Sequence, residues 1–146
     1  MSAQLLEFST NHPILVLTFI GLLGLILFNE FRQFTQKFTT IGPSAAISLI
    51  NREKTVLVDV REAAEIKDGM LTDAIHIPLS SVKSRLSELD KHKDDHVVVY
   101  CRSGNRSGSV CRQLTARGFE NVYNMSGGIM AWKDAHLPVQ KPNKKK

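Results

Sequence analysis

The residues best suited to chemistry lie in one stretch, Val97-Val98-Val99-Tyr100-Cys101-Arg102-Ser103-Gly104-Asn105-Arg106-Ser107-Gly108. An apolar β-branched run ends in a cysteine, followed by a small-residue loop holding two arginines and then a helix-like segment. Val110, Cys111 and Leu114 share one face at three- and four-residue spacing, and Gly118 stands in the stop position, which predicts a helix over 107–117. The loop then sits between the carboxyl end of a buried parallel strand, over 97–100, and the positive end of a helix. Backbone N–H groups, the helix dipole and the Arg102 and Arg106 guanidinium groups all favour negative charge at its centre. A free cysteine ionises near pH ~8.5, and such surroundings lower this to roughly 3.5–7.5, so Cys101 is expected to be a thiolate nucleophile at neutral pH. The competing reading is a cysteine serving as a small core hydrophobe.

The elements that must position this loop follow from the surrounding pattern. The sequence predicts helices over 44–51, 62–67, 81–89 and 129–135, and strands over 56–60, 74–77 and 121–123, in addition to the strand and helix flanking Cys101. Strands alternating with helices imply an α/β fold, a central parallel sheet flanked by helices. Cys101 would lie at a strand's carboxyl end, where open sheets bind ligands.

Cys101 to Ser107 resembles the active-site loop of the rhodanese family of sulfurtransferases, in which the cysteine carries a transferable sulfur as a persulfide. Val58-Asp59-Val60-Arg61, with Glu65, Gly69, Ala74, Ile77 and Pro78, resembles the family's first signature. Met125-Ser126-Gly127-Gly128-Ile129-Met130-Ala131-Trp132, with Leu137-Pro138, resembles the closing one. The resemblance covers residues 41–140 and implies a single rhodanese-like domain with a five-stranded sheet. It further implies a sulfane sulfur moved from a small anionic donor such as thiosulfate to a thiophilic acceptor, a thiol or a protein. Cys101 would be catalytic, and Arg102, Ser103, Gly104, Asn105, Arg106 and Ser107 would bind substrate. The sulfur rides on the protein itself, so neither a cofactor nor a metal is expected. Departures from the family pattern occur at Gly69-Met70-Leu71, at Asp73-Ala74 and at His76.

Several residues carry two readings. Asp59, Arg61 and Glu65 support the site either as a structural ion-pair network or, for Asp59, by holding the loop amides. Ser107 either donates its hydroxyl to the thiolate or caps the helix. Gly127 and Gly128 permit a close approach to the loop or form a helix-start turn. Trp132 and Cys111 are read as packing residues, with a resolving thiol as the alternative for Cys111. A cysteine phosphatase uses a similar loop but places its arginine six positions after the cysteine, whereas Arg106 is fifth and Ser107 sixth. A membrane-tethered binding or scaffold module is the alternative from outside enzymology.

Charge excludes other classes. Of 19 basic and 14 acidic residues, 1–40 hold two of each, 41–140 hold 13 and 12, and 141–146 hold four lysines. The excess belongs to the tail, and no basic face marks a nucleic-acid partner. Two cysteines without a CxxC spacing, apart from the five histidines, do not suggest zinc, and His92 and His96 are read as surface residues.

Residues 1–40 are read as a membrane anchor and juxtamembrane segment, ahead of the domain over 41–140 and a basic tail over 141–146. Residues 14–28 carry no charge, and with Pro13, Phe31 and a snorkelling Arg32 they approach the length of a transmembrane helix over 13–31. A signal peptide would need a basic start and a small-residue cleavage site, and neither is present. Arg32 and Lys37 follow the span, so the positive-inside rule puts the amino terminus outside and the catalytic domain in the cytoplasm, at the inner membrane. Phe31, Phe34 and Phe38 are read as continuing the helix along the interface, or as a docking face for a membrane-protein partner.

Overall fold

The valines and the tyrosine of 97–100 alternate between two faces, and each face needs its own cover. A computed structural model describes residues 10–34 and 37–141 and shows both covers. Strand β4 (His96–Tyr100) is the middle of a five-stranded sheet of order β1-β5-β4-β2-β3, parallel throughout. Its partners are β1 (Thr39–Ile41), β2 (Thr55–Asp59), β3 (Ile75–His76) and β5 (Val122–Met125). Val97 and Val99 pack on one side with Val58, Val82, Leu86, Val110 and Leu114; Val98 and Tyr100 pack on the other with Ala46, Leu57, Met125, Ile129 and Trp132. Each fully buried aliphatic side chain stabilises the fold by about 1.5–3 kcal/mol. The first layer is built by α3 (Val82–Arg85) and α4 (Asn105–Ala116), the second by α2 (Pro43–Arg52) and α5 (Gly128–Asp134).

The expected α/β class and central parallel sheet are present. Strand β1 is not among the strands read from the sequence; three residues of Thr-Thr-Ile are too short to show a period, and only pairing with β5 makes them a strand. The helix expected over 62–67 is instead a 3-10 turn at Glu65–Asp68, ended by Gly69 at φ +110°. The helix expected over 81–89 is a four-residue α3 between 3-10 turns at Leu79–Ser81 and Leu86–His92, although Val82, Leu86 and Leu89 share the buried face as read. Helix α4 starts two residues early, with Gly104 as its N-cap at φ +97°. His92 and His96 are half-buried, not open surface residues: His92 Nδ1 lies 2.8 Å from Asp95, and His96 Nδ1 lies 3.2 Å from the Tyr123 hydroxyl.

The chain divides into two units, Met1–Gln36 and Lys37–Lys146. The first contains α1 (Pro13–Phe34), with Pro13 at its first turn, where a missing N–H costs nothing. Its large apolar side chains are exposed, Ile14 at 77 % and Leu17 at 70 %. Among the described residues no helix is long and apolar enough to cross a membrane, so the span expected over 13–31 is present as a helix without being shown as a transmembrane one. Phe38 lies beyond that helix, in the second unit, where it packs against the Val58 and Val110 core. Residues 142–146 of the basic tail lie outside the described residues.

Candidate active site

Cys101 follows β4 directly and is 1 % exposed. The next three residues turn the chain into α4, and the turn requires Gly104. Its φ of +97° is left-handed, and a Cβ there would sit 3.1 Å from the Met125 carbonyl. In return its N–H donates to Cys101 Sγ at 3.2 Å, and the Ser107 hydroxyl lies 3.5 Å from the same sulfur. Burial works to raise the Cys101 pKa. The Ser107 hydroxyl and the backbone N–H groups of Ser107, Ser103 and Gly104 outweigh it, and the thiol is held below its ordinary value.

Helix α5 closes the loop from the other side. Ile129 N–H donates to the Cys101 carbonyl at 2.9 Å and Met130 N–H to the Arg102 carbonyl at 3.2 Å. A Cβ on Gly128, at φ +53°, would collide with both of those carbonyl groups. Gly128 is also the first residue of α5, with Gly127 as its N-cap at φ +70°, so the close approach and the helix-start turn are both present.

The two arginines of the loop differ. Arg106 is held in a fork by Glu65, with both N–O distances 2.7 Å. This hydrogen-bonded pairing lowers the Glu65 pKa to about 2 and raises that of Arg106. Arg106 therefore ties the loop to the Glu65–Asp68 turn, and its positive charge acts on Cys101 from that tether. Arg102 is exposed and lines a 320 Å³ pocket with Arg61, Glu65, Asp68, Met130 and Lys133. Ser103 and Asn105 are exposed on the loop.

Asp59 and Arg61 form the structural pair, not a direct support of the loop amides. Arg61 is 3 % exposed and donates to Asp59 at 2.6 and 3.0 Å. It also donates to the Gly69 carbonyl at 2.7 Å and the Glu65 carbonyl at 3.1 Å. Burial lowers its pKa, but the Asp59 hydrogen bond and charge raise it further, so the cation persists. His76, one of the departures from the family pattern, meets the Arg61 carbonyl at 2.8 Å. Trp132 is buried, its indole N–H donating to the Pro138 carbonyl at 3.0 Å. Cys111 is buried on α4, and burial pushes its thiol up to about 12, which suits packing and not a resolving nucleophile.

One residue of this neighbourhood was missed by the sequence reading. Asn124 in β5 donates its Nδ2 to the Gly104 carbonyl at 3.1 Å and accepts the Ser107 hydroxyl at 2.6 Å. The available signal was an amide two residues after Val122 and next to Met125, in a strand otherwise apolar toward the core.

A model of the Rhodanese-like domain matches residues 43–135. The chain belongs to the rhodanese family. A sulfurtransferase from Allochromatium vinosum is 44 % identical over 94 residues, covering 64 % of this chain and 86 % of that protein. The thiosulfate sulfurtransferase GlpE of Coxiella burnetii is 33 % identical over 107 residues, 73 % of this chain and 97 % of its own. Among solved structures, a rhodanese-like domain protein from Staphylococcus aureus superimposes with a TM-score of 0.61 at 27 % identity, covering 70 % of this chain and 99 % of that one. The rhodanese match takes in β2 through α5 and so includes every residue of the Cys101 network described above.

Proposed function

We propose that the protein is a sulfurtransferase that moves a sulfane sulfur from an anionic donor such as thiosulfate to a thiophilic acceptor through a persulfide on Cys101. The observation that carries this reading is the Cys101 sulfur beneath a loop whose Gly104 N–H donates to it at 3.2 Å. The thiolate attacks the outer sulfur of the donor, a new S–S bond forms, and the donor's S–S bond breaks with its electron pair leaving on sulfite. The loop amides face the sulfur and stabilise the charge that the persulfide carries, while Arg102, at the pocket mouth, meets the anionic end of the donor. An acceptor thiolate or cyanide then takes the terminal sulfur, and the Cys101 thiolate returns. No general base is needed when the nucleophile is already ionised. The relatives with sulfurtransferase names support this reaction class, and the position of Arg106, fifth after the cysteine and forked to Glu65, argues against a phosphoryl cradle.

The deciding experiment is intact mass after exposure to thiosulfate. One added sulfur on the wild-type chain, absent from Cys101→Ser and discharged by cyanide as thiocyanate, is the expected result. An unmodified chain that instead hydrolyses an aryl phosphate overturns the assignment.

The place of action is a second part of the same proposal. Exposure of the large apolar side chains of α1, 58–77 % for Ile14, Leu17, Ile20 and Leu25, supports burial of this helix in a lipid phase. With Arg32 in its last turn and Lys37 beyond it, the rhodanese domain would face the cytoplasm, where thiols stay reduced. Recovery of the full chain in carbonate-washed membranes, with the domain shielded from protease added outside intact cells, is the expected outcome. A freely soluble chain refutes it.

A further inference from the structure

Ser107 has one hydroxyl proton and three acceptors around it: Asn124 Oδ1 at 2.6 Å, the Gly104 carbonyl at 3.0 Å and Cys101 Sγ at 3.5 Å. All of these groups are buried, Ser107 fully so. The amide of Asn124 decides which acceptor is served. Gly104 offers only a carbonyl, which can accept and not donate, so the Asn124 group facing it at 3.1 Å must be the NH2. Its carbonyl Oδ1 is thereby turned to Ser107, and a carbonyl can engage a hydroxyl only by receiving its proton. The Gly104 carbonyl likewise can only accept, but the Asn124 contact at 2.6 Å is the shorter of the two and takes the proton.

We propose that Asn124 is a positioning residue that withholds the Ser107 proton from Cys101 and so sets the acidity of the reacting thiol. While Cys101 is a thiol, Ser107 donates to Asn124 and turns a lone pair toward the sulfur. When Cys101 loses its proton to solvent, the Ser107 hydroxyl rotates to the sulfur and Asn124 Oδ1 loses its donor. No covalent bond changes; the thiolate gains one hydrogen bond only by orphaning a buried carbonyl. The loop survives without this amide, because Gly104 is also pinned by the Gly108 N–H at 3.3 Å and by its tight seat against Met125. The benefit of restraint is chemical: a thiolate that is stabilised too far attacks sulfur more slowly, since nucleophilicity falls with pKa.

The ionisable surroundings do not supply the same control. Arg106 and Cys111, both on α4, are electrostatically coupled to Cys101; the former is tethered to Glu65 and the latter is neutral until about pH 12. At the end of β2 the Asp59 and Arg61 charges pair with one another. Arg102, from the loop, and Lys133, from α5, line the adjoining pocket. Toward the sulfur's hydrogen-bond network β5 offers the uncharged Asn124.

The test is a double-mutant cycle on the full-length chain, read by the ultraviolet absorbance of the thiolate as pH rises, with no sulfur donor present. Asn124→Leu removes the nearer competing carbonyl and is expected to raise the Cys101 ionisation constant by roughly threefold or more, the scale of a typical net hydrogen bond. Ser107→Ala lowers it, and in the Ser107→Ala background Asn124→Leu has no further effect. A residue that only braced the loop would act in the opposite sense, because a loosened Gly104 N–H leaves the sulfur less acidic. A lowered or unchanged constant in Asn124→Leu, or an effect that persists without the Ser107 hydroxyl, overturns the proposal. Asn124→Ala removes the same carbonyl without added bulk and covers the case in which the leucine variant does not fold. The same rise is expected, and an unchanged or lowered constant is the contrary result. The inference rests on Cys101 as the reacting thiol, but its readout needs no sulfur transfer. Failure here leaves the persulfide assignment standing, and an unloaded chain leaves this titration interpretable.

Discussion

At Cys101 two opposed effects meet, burial that disfavours charge and directed N–H groups that favour it, and the second prevails. The rate of persulfide formation should then be half-maximal at a pH below about 8.5, the value of an unperturbed cysteine, and a titration of rate against pH checks it. Arg102 stands free at the pocket while Arg106 is committed to Glu65, so Arg102→Ala is expected to raise KM for thiosulfate by about tenfold with a smaller change in kcat. The Glu65 carboxylate gives a separate pH signature. Its folded pKa, about 2, lies below that of an unfolded carboxylate, so its contribution to stability is complete above pH ~4.5 and fades as pH falls toward 2. The pair is about a third exposed, and after solvent screening the loss is about 1 kcal/mol. Thermal melts from pH 6 to 2 should show a shallower fall for Glu65→Gln than for the wild type. Cys101 was legible from residue order alone as the candidate nucleophile, because a cysteine between a β-branched run and a glycine-bearing loop has few other uses. Arg106 shows the limit: its fork to the Glu65 carboxylate, 41 residues away in sequence, could not be read from the loop alone.

Among the elements, helix α5 and strand β2 bear on the loop in different ways. The turn into α5 passes so near the Cys101 and Arg102 carbonyls that Gly128 has no room for a methyl group. Gly128→Ala should cost about 2–4 kcal/mol by denaturant unfolding and should abolish sulfur loading, since relief of the clash requires moving the loop. At the end of β2, Asp59→Ala leaves the Arg61 cation buried without its partner and should cost about 3–5 kcal/mol, measured the same way. The strands around Cys101 were readable because apolar alternation is a local property. The 3-10 turns at Glu65–Asp68 and Leu86–His92 were not, since their backbone is set by what they cover: Arg61 reaches carbonyls at Glu65 and Gly69, and Leu86 and Leu89 must both reach the core. Strand β1 was invisible for a related reason, as its partner β5 lies more than eighty residues further along.

For the whole molecule, the division at Gln36 predicts that residues 37–146 carry sulfur transfer on their own. This fragment should load and discharge sulfur at wild-type rates in solution while no longer sedimenting with membranes, and fractionation with a thiocyanate assay reads both. The sheet order has a further consequence for biosynthesis. In spatial order the first and last strands are neighbours, and the central strand β4 waits for β5 before its second edge is paired. A chain emerging from the ribosome therefore holds Val97, Val98 and Val99 with one row of peptide groups unsatisfied until Val122 to Met125 have cleared the exit tunnel. Nascent chains halted before that point should be sticky and in need of a holdase, and the released chain should resist protease, so that completion of the chain times the birth of the reactive sulfur.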